Sequence, residues 1–111
     1  MKDDRLYLIH ISECIMRIEK YTRAGRDEFL KSDLIQDAVI RNLQTMAEST
    51  QRISTSRQND HPEIEWFKIA GFRNVLVHDY LGVDLDKVWN IIVIDLPGLK
   101  SGVAAMLDEM G

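Results

Sequence analysis

Tyr7, Ile11, Cys14, Ile15, Ile18 and Tyr21 recur at steps of three and four, the period of a helix with one apolar face. They predict a first helix from Asp4 to Arg23, stopped by Gly25. Leu34, Ile35, Ala38, Val39, Leu43, Met46, Ala47 and Ile53 repeat the period. A second helix is therefore expected from a cap at Ser32, or Asp27 before it, to about Ser54. Thr55 to Asp60 is polar and reads as a loop, and His61-Pro62 announces a short helix to about Ala70 with Ile64, Phe67 and Ile69 inward. Gly71 is placed to permit a bend or a close helix contact before an apolar run that ends near Gly82. Asp84 can cap a further helix carrying Leu85, Val88, Trp89 and Ile92, which Leu96-Pro97 should break or kink. Leu99 to Met110 closes the chain with Val103, Met106 and Leu107 inward. The expectation is an all-α, up-and-down bundle.

Composition narrows this further. With 111 residues, 45% hydrophobic and 29% charged, residues 1–111 are expected to form one domain with one modest core. Cys14 is the single cysteine, which excludes an internal disulfide, leaves no cysteine cluster for zinc and points to the cytoplasm. The start, Met1-Lys2-Asp3-Asp4-Arg5, lacks the form of a signal peptide, and no apolar stretch approaches the ~18 residues of a membrane span. Net charge −4 argues against broad binding of duplex DNA and leaves room only for local nucleic-acid contacts.

One stretch does not fit a simple core helix: Arg73-Asn74-Val75-Leu76-Val77-His78-Asp79-Tyr80. At 100° per residue Asn74 and His78 stack, and Arg73, Asn74, His78 and Tyr80 fall within about 160° of arc. A permanent cation, an amide, an imidazole and a phenol on one face suit a phosphate. His78 can take and return a proton near neutrality, Arg73 can fork two phosphate oxygens, and Asn74 can hold the imidazole or donate to the phosphate. Spacing alone favours a buried Arg73–His78 pair joining helices, with Tyr80 packed beside it. His10 lies far from this stretch and receives no role. Trp66 fits a core aromatic better than a base-stacking platform, and Glu48 an exposed residue paired with Arg52. No phosphate-binding glycine loop, nucleophile elbow or metal triad is present, so no metal or cofactor is expected.

Arginine, four residues, histidine, one residue, tyrosine resembles the motif of the HepT-like branch of the HEPN superfamily. Trp66, Gly71, Val83-Asp84 with Val88-Trp89, and Leu96-Pro97-Gly98-Leu99 resemble its layout, so the likeness covers nearly the whole chain. Ala47-Glu48-Ser49 stands where that branch usually has Gly-Glu-Ala. The resemblance implies a homodimeric four- to five-helix bundle whose motifs meet across the interface. It implies a toxin that is a metal-independent ribonuclease, with Arg73 and His78 in RNA cleavage and Asn74 in support. Its implied partner is a minimal nucleotidyltransferase (MNT) antitoxin that silences it by transferring AMP to Tyr80. HEPN domains also include noncatalytic adaptors, which leaves a nucleotide- or nucleotidyltransferase-binding module as the alternative.

Overall fold

The structure, a computed structural model, describes residues 3–76 and 82–111. His78 and Tyr80 therefore lie outside the described residues. The rest is helical, with no strand among the described residues: α1 (Asp4–Tyr21), α2 (Arg26–Lys31), α3 (Asp33–Gln51), α4 (Thr55–Asp60), α5 (Trp66–Leu76), α6 (Leu85–Asn90) and α7 (Leu96–Glu109). A π turn, Ile91–Asp95, joins α6 to α7 without a break, so Leu85–Glu109 is one continuous rod. α1, α3, α5 and this rod form the bundle. α1 packs on α3 and α7, and α3 also packs on α5.

The helix ends follow the capping chemistry of their residues. Asp3 accepts from Leu6 N–H, Ser32 from Ile35 N–H, and Asp84 from both Asp86 and Lys87 N–H, each satisfying backbone donors that a helix start leaves without partners. Gln36 donates to the Phe29 and Leu30 carbonyls and so seals the end of α2 against α3. Gly82 has φ +81°, a left-handed conformation that glycine adopts without a steric penalty.

Several expectations about the first two-thirds of the chain are corrected. The polar loop at Thr55 to Asp60 is helix α4, because Ser54 caps it from Arg57 N–H while also donating to Asp4. The next helix begins at Trp66 instead of Pro62, and it runs on through Gly71. A Cβ at Gly71 would meet nothing within 4 Å, so no close helix contact explains that glycine. Ile64 and Ile69 are buried as expected, but Phe67 is 93% exposed. Phe67 lies roughly 170° round the helix from the mean direction of Ile69, Phe72 and Leu76, the buried stripe. Leu34, placed in the second stripe by the sequence, is likewise exposed, about 140° from Val39.

Pro97 does not break the last rod. Leu96 N–H bonds to the Ile91 carbonyl, five residues back. This wider turn admits a proline that has no N–H to donate and whose ring would otherwise crowd the preceding turn. The turn also leaves Val93 and Ile94 exposed, while Asp95 meets Lys68 of α5 at 2.7 Å. The Leu85–Glu109 rod also corrects the expectation that no segment approaches a membrane span, since it is long and apolar enough by length and composition alone. Here its apolar side, including Val88, Ile91, Leu96, Leu99, Val103 and Met106, belongs to the common core.

Candidate functional site

α5 is built so that its core stripe fixes where its polar residues go. Burial of Ile69, Phe72 and Leu76 leaves Arg73 on the flank of that stripe, roughly 70° away, and Asn74 on the opposite side of the helix. Both are exposed. Arg73 lines a groove of about 400 Å³ between α5 and α3, shared with Gln44, Ala47, Glu48, Gln51, Ala70 and Leu76. Asn74 does not line it. Of the residues singled out in the sequence, the groove therefore brings Arg73 and Glu48 together.

Glu48 departs from its expected part. It is exposed, but it forms no ion pair with Arg52 among the described residues. Its neighbours in the groove are Gln44 and Gln51, four residues before it and three after, the spacing that places side chains on one helix face. These two glutamines escaped the sequence reading. A polar stripe at 44, 48 and 51, running beside the apolar stripe of the same helix, was the signal available.

The remaining polar candidates serve the fold. Trp66 is half-buried and donates from Nε1 to the Gln58 and His61 carbonyls at 3.1 and 3.0 Å, locking the approach to α5. His10 shares a 2.6 Å hydrogen bond between Nδ1 and Ser49 Oγ, and its Nε2 lies 3.6 Å from the buried Cys14 sulfur. It is a link in the α1–α3 seam. His61 is buried between Glu63 and Glu109, at 2.9 and 3.1 Å. The hydrogen bond to Glu63 raises its pKa, burial opposes this, and Glu109 adds to the rise. Among the described residues no three His, Cys, Asp or Glu side chains stand close enough to hold a metal ion.

The groove thus offers a fixed cation, a carboxylate and two amides above a floor of Ala47, Ala70 and Leu76. A guanidinium held at the edge of a concave surface matches an anionic oxygen pair, and the amides can donate or accept.

Comparison with known proteins identifies the family. The family model described as "Ribonuclease HepT-like" matches residues 11–106. A protein of Thermococcus cleftensis named "Probable ribonuclease HepT" is 39% identical over 95 residues, 85% of this chain and 86% of its own length. A "Putative RNase" of Caldanaerobacter subterraneus is 31% identical over 110 residues, 98% of each chain. A "Gamma-glutamylcyclotransferase and putative RNase" of Methanocaldococcus jannaschii is 34% identical over 110 residues, and this chain spans half of that relative's length. No solved structure matches the chain.

Proposed function

We propose, since this chain belongs to the HepT-like family of ribonucleases, that it cuts RNA without a metal ion, with Arg73 and His78 as the catalytic pair and Asn74 in support. The observation that carries this reading is the exposure of Arg73 at the rim of a groove. A cation whose task was to join helices would be buried and paired, whereas this one faces the space a substrate would fill. In the reaction His78 takes the proton of a ribose 2′-hydroxyl, whose oxygen attacks the adjacent phosphorus. Arg73 holds the non-bridging oxygens as charge gathers there, and the 5′-oxygen leaves with a proton from a second imidazole.

One chain has one such histidine in its motif, so the second comes from a second copy. The apolar surface of α5 and the π turn supports that homodimer. Phe67 and Ile94 are 93% and 66% exposed, beside a shallow depression shared with Gly71, Phe72, Val75 and Ile91, more apolar surface than two scattered residues would leave. The protein acts as the toxin of a pair in which an MNT-type nucleotidyltransferase is the antitoxin, by AMP transfer to Tyr80.

Incubating the protein with total RNA in EDTA tests the chemistry. Cleavage should persist in EDTA and fall about 10²- to 10³-fold in Arg73→Ala and about 10²- to 10⁴-fold in His78→Ala, with melting temperatures unchanged. Full activity in His78→Ala, or inert RNA in every condition, defeats the reading.

A further inference from the structure

Resting on that reading, we propose that the α3–α5 groove beside Arg73 is a base-reading subsite, and that Glu48 selects guanine there. An RNA strand brings a phosphate and a base at each step, and Arg73 and Glu48 divide the groove between opposite signs. The phosphate goes to the guanidinium. The carboxylate, which can only accept hydrogen bonds and repels phosphate, faces whatever part of the nucleotide donates.

That condition chooses among the bases. A carboxylate binds best when both oxygens accept from parallel donors. Guanine alone presents two adjacent donors on its Watson–Crick edge, N1–H and the exocyclic amine. In adenine, cytosine and uracil each donor on that edge stands beside an acceptor, which would point a lone pair at the carboxylate. Single-stranded RNA exposes this edge, and it is where proteins read unpaired bases. Gln44 and Gln51, on the same face of α3, bring amides able to donate toward the guanine O6 and N7.

The lining of the groove agrees. Ala47 and Leu76 are buried, and with Ala70 they give it aliphatic surface beside its polar residues. A heteroaromatic ring with donors and acceptors confined to its edge offers the complementary chemistry. The volume of about 400 Å³ falls in the ~300–1,000 Å³ range of small-molecule sites. Glu48 is also not held by its helix neighbour Arg52, so its oxygens are not already committed to that cation.

The test is end-sequencing of the fragments the full-length protein makes from a random single-stranded RNA pool, compared with Glu48→Gln. Guanine should be enriched at one fixed position next to the cut, and Glu48→Gln, which replaces one acceptor by a donor, should lower that preference about tenfold or more. Cutting with no base preference, a different preferred base, or a guanine preference that survives Glu48→Gln overturns the subsite and leaves the ribonuclease reading standing. So does a uniform gain in cleavage of all sequences in Glu48→Gln, the mark of a carboxylate that merely repels phosphate. If no RNA is cut, the ribonuclease reading fails and binding decides the subsite. Methyl NMR shifts of Ala47 and Ala70 on titration with GMP and AMP should then show a GMP preference lost in Glu48→Gln, and equal shifts for both nucleotides overturn it.

Discussion

Tyr80 illustrates how a residue's chemistry limits its role. A phenol with a pKa near ~10 is protonated at neutral pH and makes a poor base beside a histidine. In the proposed toxin–antitoxin pair its task is instead to receive AMP. An attached AMP would set a phosphate against the Arg73 cation and a nucleoside in the RNA path, blocking substrate by charge and bulk. Coexpression with the cognate nucleotidyltransferase should add AMP mass to the parent protein and silence it, while Tyr80→Phe keeps its fold and part of its toxicity. A Tyr80→Phe protein that still gains AMP and falls silent would refute this assignment. At the same scale, Trp66 and His10 show why a residue type is a weak sign of function: both carry groups suited to nucleic acid, and both direct them into the bundle.

Among the elements, α7 packs closely on the turn before α5 at Gly102. Gly102 is buried, and a Cβ there would stand 2.5 Å from Ile64 Cδ1 and 2.8 Å from Cγ1. Two effects compete in Gly102→Ala. Helix propensity favours alanine by about 1 kcal/mol, while forcing a methyl into a packed seam costs about 1–3 kcal/mol. The overlap involves Cγ1, close to the Ile64 backbone, so the seam must shift and the steric cost should prevail. Urea denaturation should show Gly102→Ala destabilised, and Ile64→Ala should cost less in that background than in the parent. A stabilised Gly102→Ala would show that Ile64 swings aside freely. The π turn is a second element-scale decision, because its extra residue turns Val93 and Ile94 outward together.

For the whole molecule, ionic links near the chain ends join distant elements. Partial burial by itself raises the Asp4 pKa, but hydrogen bonds from the Ser54 hydroxyl and N–H and from Arg57 outweigh it and hold the carboxyl below its ordinary range. A lowered folded pKa means that this contribution is present above the unfolded value and is lost as pH falls through the folded one. His61 has the opposite sign. Its raised pKa makes the contribution of the Glu63–His61–Glu109 bridge complete below the ordinary imidazole value, ~6.5, and lost as pH rises through the folded pKa. Stability measured against pH should therefore decline on both sides; Glu63→Gln with Glu109→Gln should flatten the alkaline decline and soften the acid one as well, because the His61 hydrogen bond also holds the Glu63 carboxyl below its ordinary pKa. An unchanged alkaline limb would remove His61 from this account. Assembly belongs to this scale too: Phe67→Glu should convert a particle of twice the chain mass into a monomer by light scattering and abolish cleavage, and a parent protein that is fully active as a monomer would exclude the dimer.

The helical class, the inward stripes of α1 and α3 and the caps at Ser32 and Asp84 were legible in the sequence, because each depends on residues within one or two turns of one another. The HepT-like family was legible too, through a spaced motif and its surroundings. Local pattern was insufficient where two forces met: Ser54 turned a polar loop into α4, and the backbone accommodated Pro97 through a π turn instead of ending the helix. It also failed for Phe67 and Leu34, where hydrophobicity said inward and helical phase said outward. The groove itself belongs to the tertiary structure. Gln44, Glu48 and Gln51 are separated from Arg73 by more than twenty residues of chain, and only the packing of α3 on α5 sets them round one space. Periodicity states which way a side chain faces, and packing alone decides what it faces.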